Sequence, residues 1–248
     1  MSSRPELKLD WCSHAAARYA VEHWHYSGCM PIGKLVKIGV WEDGGYIGAV
    51  LFSTGASPQI HKALGVGRFN MCELVRVALR GHVWEVSKIV AIAVRMLRRL
   101  SPGLRVIVSF ADPEHGHIGG IYQGGNWVYC GKSTPGLYYR LADGSLTHNR
   151  NLQGPKGFCG KPKDGIQRQY TERLKKGLAS GAISKVVTAP KYKYLYPLDT
   201  AMRAQIEPLR KPYPKRAGSI DSDAPADQAG EGGASPTPAL HSKDTADA

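Results

Sequence analysis

None of the five cysteines (Cys12, Cys29, Cys72, Cys130, Cys159) stands in a C-x-x-C pair, and their number is odd. Such a set supplies neither a zinc finger nor a closed disulfide framework, and it suits a reducing compartment. No apolar run reaches the roughly 18–20 residues that a bilayer span needs, so a membrane protein is not expected. The opening Met-Ser-Ser-Arg-Pro-Glu-Leu-Lys-Leu-Asp lacks the apolar stretch of a secretory signal, which makes the cytoplasm the expected location. Acidic residues are scarce over most of the chain. Residues 1–216 carry 32 basic and 14 acidic side chains, a net charge of +18, whereas the stretch from Ala217 onward has six acids and one lysine.

A body this basic, without a membrane segment, points to a polyanionic partner, and nucleic acid is favoured. What is present in quantity is enough apolar material, 42% of 248 residues, for one sizeable α/β domain. Three regions are expected: a catalytic domain over 1–150, a basic Tyr/Lys-rich extension over 151–216 that packs on the domain or on DNA, and an acidic tail over 217–248. The tail has so few large apolar residues that disorder is expected there.

Within the first region, periodicity predicts a short strand at Glu6–Leu9 and a helix capped by Ser13 that runs to about Trp24, with His23 in its packed stripe. Strands follow at Lys34–Glu42 and Tyr46–Ser53, joined by the hairpin residues Asp43-Gly44-Gly45. Cys72–Leu79 alternates as a half-buried strand, placing Arg76 on the face of Leu74 and Ala78. Val86–Leu100 carries the apolar stripe of an amphipathic helix. Arg105–Ala111 is a near-continuous apolar run of the kind found in a buried parallel strand. A short helix near Gly119–Gly124 and a strand at Trp127–Gly131 complete the order β-α-β-β-β-α-β-α-β. That succession resembles the GNAT acetyltransferase fold, a mixed sheet with flanking helices, and Ile121-Tyr-Gln-Gly-Gly-Asn-Trp-Val-Tyr resembles the end of its last helix. The phosphate-cradling turn of that fold is Gly-rich, whereas Arg80-Gly-His-Val-Trp-Glu85 holds a single glycine.

The densest titratable cluster is Asp112-Pro-Glu-His-Gly-His117, at the C-terminal end of the most apolar strand, where open α/β sheets bind ligands. Asp112 reads equally as a desolvated base or metal ligand and as the cap of the following turn. Glu114 and His115 read as surface residues of that turn. His25 and Tyr26 fall where the first helix ends, with packing or capping as the plainer reading. An inward Arg76 requires an anionic partner. In Pro190-Lys-Tyr-Lys-Tyr-Leu-Tyr-Pro197, alternation sets Lys191 and Lys193 opposite Tyr192 and Tyr194. That pattern suits lysines on phosphates and tyrosines stacking on bases, or an edge strand with its tyrosines in the core.

His25-Tyr26-Ser27, Tyr46-Ile-Gly-Ala-Val50, Glu73-Leu-Val-Arg76, Ser109-Phe-Ala-Asp-Pro-x-x-Gly-His-x-Gly-x-Ile-Tyr-Gln123 and Asn126-Trp127 together resemble the phage Mom family of DNA-modification proteins. The resemblance implies a GNAT-like fold and conversion of adenine in phage DNA to its N6-carbamoylmethyl derivative, which protects the DNA from restriction. It implies double-stranded DNA with a flipped adenine as substrate, and a phage- or prophage-encoded protein in the host cytoplasm. The family's functional positions would fall on His25, Tyr26, Arg76, Asp112 and Tyr122, with Ser87 as a further match. Iron is an implied cofactor, with His25 and Asp112 as its ligands beside Tyr26 or His117; the two-carbon unit would come from acetyl-CoA or another donor. In this scheme Asp112 is the base or metal ligand, Tyr122 the proton donor or substrate anchor, and Arg76 an anion clamp. Two other readings of the residues remain: an ordinary GNAT acetyltransferase acting on a small-molecule or protein amine, and a non-catalytic DNA-binding protein.

Overall fold

A computed structural model of the protein describes residues 4–215 except 32, 55–59, 143, 145, 149–171 and 173. The acidic tail expected over 217–248, and the first part of the basic extension, lie outside the described residues.

The framework is a seven-stranded mixed sheet. Strand β1 (Leu7–Trp11) leads into helix α1 (His14–Trp24), whose first turn is capped by Ser13 accepting from Ala16 N at 3.1 Å. Strands β2 (Leu35–Glu42) and β3 (Gly45–Ser53) form the expected hairpin, with Asp43 at φ 46° and Gly44 at φ 76° in the left-handed conformation that its turn requires. After the short helix α2 (Ile60–Ala63) come β4 (Met71–Leu79), α3 (Val86–Leu100) and β5 (Val106–Ala111). Helix α4 (Gly120–Gln123) and strand β6 (Val128–Lys132) follow. Strands β7 (Gly136–Arg140), β8 (Leu146–His148) and β9 (Ser184–Thr188) build a separate three-stranded sheet. The chain then returns as β10 (Tyr192–Pro197) and ends its described part with a helix over Thr200–Ile206.

The order in the large sheet is β1-β2-β3-β4-β5-β10-β6, antiparallel except between β4 and β5. Helices cover both faces. Ile89, Val90, Ala93, Val94 and Leu97 of α3 pack on one face against Ile38, Val50, Phe52, Leu74, Ile107 and Tyr194. On the other face α1 buries Ala17, Ala20 and Val21 against Ala49, Leu51 and Ala78, while Met202 and Ile206 cover Val106, Val108 and Leu195.

Two features depart from the sequence expectation, and both shape the site. The first is a break in the β3–β4 register: Leu51 pairs with Arg76 but Phe52 pairs with Leu74, so Val75 is an extra residue, a β-bulge. The bulge turns Arg76 onto the α1 face with Ala78 and away from Leu74, which packs under α3. The second is the position of β10. It is neither an edge strand nor part of an appended unit; it lies between β5 and β6, so the sheet of the first 150 residues is completed by residues 192–197. His23 also lies outside the packed stripe, exposed, with its ring stacked on Tyr19 at 4.1 Å.

Candidate active site

Strands β4 and β5 are paired through Met71–Val106, Cys72–Ile107 and Glu73–Val108, and then separate. At the point of separation a side chain takes over from the backbone ladder: the Ser109 hydroxyl hydrogen-bonds Leu74 O at 2.8 Å and lies 2.7 Å from the Tyr122 hydroxyl. A carbonyl only accepts, so the Ser109 proton goes to Leu74 O and Tyr122 donates to Ser109 Oγ. Burial pushes the Tyr122 phenol up to about 12, against the opposing effect of the Ser109 bond. Tyr122 packs on Trp127 and Tyr194, each with ring centroids at 5.0 Å, and forms the floor of the gap between the two strands.

Asp112 follows β5 directly and is 6% exposed. It is both desolvated and the cap of the following turn. Its Oδ1 accepts from Glu114 N at 3.1 Å and caps the turn Pro113–His115. Its Oδ2 stands 2.6 Å from the Lys191 ammonium. Burial works against that ammonium, but the hydrogen bond and charge of Asp112 more than offset it, and the Lys191 pKa lies above its ordinary value. Lys191 therefore belongs to this cluster and is not a free surface cation.

His25 and Tyr26 reach the same place from the end of α1. The Tyr26 ring stacks on His25 at 4.2 Å and meets His115 at 4.1 Å and His117 at 5.4 Å. His115 is exposed, as its place in the turn suggests, and its ring also lies against Tyr26, a contact the sequence gives no sign of. Tyr26 keeps 49% of its surface exposed although His25 and His115 lie against its ring. Burial raises its phenol above the usual value while Lys191 opposes the rise. Burial, then the charges of Arg76, His117, His115 and Lys191, lower the His25 imidazole to about 3. Burial and His115 lower His117 as well.

The His25 shift carries a pH prediction. The folded pKa lies below the unfolded one, so below about pH 6.5 the unfolded chain takes up a proton that the folded chain refuses, and stability falls as the pH drops from there toward 3. Thermal melts of a His25→Gln protein are expected to lose less stability than wild type between pH 6.5 and 4; parallel losses would rule out this contribution.

Arg76 donates to Val75 O at 2.7 Å and to Cys29 O at 3.3 Å, which ties the loop after α1 to the bulge, while its Nε is buried without a hydrogen-bond partner. Ser87 does not join the cluster. It lies in the first turn of α3, with its Oγ 3.5 Å from where a Cβ on Gly124, two residues past Tyr122, would stand. The β10 residues expected on DNA are also placed differently. Tyr194 is fully buried and donates to Ile118 O, so it cannot stack on a base; Tyr192 packs against the core below Lys132, and Lys193 is half-buried.

The arrangement does not fit iron on His25 and Asp112. Both Asp112 oxygens have partners, one of them a cation. His25 Nδ1 accepts from Ser27 N at 3.1 Å, which leaves the ring proton on Nε2. Among the described residues no three His, Cys, Asp or Glu side chains converge as a metal site. The start of α3 is poorly suited to a coenzyme A pyrophosphate: Glu85 occupies the N-cap position and its carboxylate, paired with Arg4 at 2.7 Å, puts a negative charge beside the helix N-terminus.

The model of the Mom protein family matches residues 6–215 of this chain. The chain belongs to the Mom protein family. Among curated proteins, the methylcarbamoylase mom of Escherichia phage Mu is 25% identical over 155 residues, which cover 61% of this chain and 64% of that protein. In this Mom family member, His25, Tyr26, Arg76, Asp112 and Tyr122 lie near one another, and Lys191 and His115 join them. No helix among the described residues is long and apolar enough to cross a membrane.

Proposed function

We propose that the protein modifies DNA by transferring a carbamoylmethyl group to the N6 of adenine, with Asp112 as the group that accepts the N6 proton. The observation that carries this reading is the coincidence of a family match over residues 6–215 with a side-chain cluster in which Asp112 is a buried, cation-paired carboxylate. The name of the phage Mu relative, methylcarbamoylase, supports the same chemistry. In the reaction, N6 attacks the methylene of a carbamoylmethyl donor, the N–C bond forms, the donor's leaving group departs with its electron pair, and the N6 proton passes to Asp112.

The adenine amine is conjugated with its ring and is a weak nucleophile, so removal of its proton and its orientation carry the catalysis. Asp112 is too enclosed to meet a base that remains stacked in a duplex. A flipped adenine, brought in past the exposed side of Tyr26, reconciles this burial with a DNA substrate, at a cost of a few kcal/mol for unstacking. The net +18 of residues 1–216 supports a polyanionic partner. The strand order and the parting of β4 from β5 support a GNAT-like fold, whereas Glu85 at the start of α3 disfavours an ordinary acetyl-CoA enzyme.

The test is mass spectrometry of nucleosides from the DNA of cells that produce the protein. The expected result is an adenosine species heavier by one carbamoylmethyl group less a hydrogen. Adenosine of unchanged mass in DNA from producing cells would end this reading.

A further inference from the structure

Strands β5 and β10 are antiparallel, with Tyr194 opposite Ser109 and Tyr192 opposite Ala111. One step beyond that ladder the same register sets residue 191 opposite residue 112, which brings Lys191 Nζ to 2.6 Å from Asp112 Oδ2. The backbone fixes the lysine from its other side. Lys191 N donates to Ser133 Oγ at 3.0 Å, and Lys191 O accepts from Ser133 N at 2.8 Å. Two residues earlier, Ala189 N donates to Glu114 Oε1 at 2.8 Å, which fastens the approach to β10 onto the turn that Asp112 caps. The ammonium is therefore placed by three chain segments, and its side chain is 34% exposed beside a carboxylate that is 8% exposed.

We propose that Lys191 is a positioning residue of the active site, whose ammonium pairs with the Asp112 carboxylate and fixes its orientation toward the substrate. The inference rests on the reading of Asp112 as the proton acceptor. A carboxylate this enclosed needs a counter-charge, and the Lys191 ammonium supplies it. The pairing engages Oδ2. Oδ1 accepts a single backbone hydrogen bond and keeps a lone pair for the proton that leaves N6. An ammonium committed to Asp112 is not a contact for a DNA phosphate, and that separates this role from the one the Lys/Tyr alternation suggests.

The experiment compares K191M, K191Q and K191R with wild type in the full-length protein. Turnover is read by nucleoside mass spectrometry, and duplex DNA affinity is measured over a series of salt concentrations. K191M and K191Q are expected to lower kcat by about 10- to 100-fold, the scale of a misplaced catalytic group. DNA affinity and the slope of its logarithm against log salt stay at wild-type values. K191R, which keeps the charge, recovers most of the rate, whereas K191Q, which keeps only a hydrogen-bond donor, does not. Wild-type kcat in K191M overturns the assignment. So does preserved kcat in a variant whose salt slope falls by about one unit, the mark of a lost phosphate contact. Equal rates for K191Q and K191R would also overturn it, and that comparison stands even if K191M does not fold. A wild-type protein that leaves adenosine unmodified would remove the functional reading itself, a result distinct from each of these.

Discussion

Asp112→Asn is expected to reduce adenine modification by about 100- to 10,000-fold, the range that a positioned proton acceptor contributes. The substitution is nearly isosteric. The amide oxygen can still accept from Glu114 N and cap the Pro113–His115 turn, so the local backbone should hold. What changes is the charge. The amide cannot accept the N6 proton, and Lys191 loses the anion 2.6 Å from its ammonium. With 34% of its side chain exposed, Lys191 can turn toward solvent, so the melting temperature should fall by only a few degrees. DNA affinity should hold or rise slightly, because a negative charge has been removed from a basic protein. Rates from nucleoside mass spectrometry, beside binding curves for the same protein, separate the two effects. An Asp112→Asn protein that modifies DNA at the wild-type rate would remove Asp112 from the reaction.

Tyr194→Ala has the largest expected effect on the fold, a loss of about 3–5 kcal/mol of stability, the scale for a large aromatic side chain deleted from a packed core. Tyr194 has no exposed surface and packs on Tyr122 at 5.0 Å and on Tyr129 at 5.2 Å. Its hydroxyl donates to Ile118 O and accepts from Gln123 Nε2, which fastens the segment leading into α4 onto the sheet. That segment passes close enough that only glycine fits at position 119: its φ is +90°, and a Cβ there would stand 2.4 Å from the Tyr194 ring. Urea unfolding measures the loss, and Tyr194→Phe should cost only about 1 kcal/mol. If Tyr194 instead stacked on DNA bases, the alanine variant would keep its stability and lose about 1–3 kcal/mol of DNA affinity. The two outcomes do not overlap.

The sequence is informative wherever local periodicity decides structure. The stripe over Val86–Leu100 gives helix α3 to the residue, Ser13 is the cap of α1, and Asp43-Gly44 turns the β2–β3 hairpin. It is uninformative wherever one residue or one distant pairing decides. The extra residue Val75 reverses the alternation of β4, and nothing in Glu-Leu-Val-Arg-Val distinguishes a regular strand from a bulged one, so Arg76 falls on the face opposite Leu74. The alternation of Tyr192, Tyr194 and Tyr196 fits an edge strand and an interior strand equally well. The choice depends on the opening between β5 and β6, which is a property of the assembled sheet. The same holds within the site. Asp112 and Tyr122 stand out in one distinctive stretch of chain, whereas the pairing of Asp112 with Lys191 follows from strand register across a long separation, and His115 meets Tyr26 only because α1 ends against its turn.

The place of β10 also sets an order in time. During synthesis Asp112 is made 79 residues before Lys191, an interval of roughly 4–16 s at about 5–20 residues per second. Through that interval β5, and β6 once it is made, lack the strand that completes the sheet, and the open edge of β5 is a run of Val, Ile, Val, Ser, Phe and Ala, the kind of edge that pairs with other chains. Asp112 acquires its counter-charge only when the last interior strand arrives.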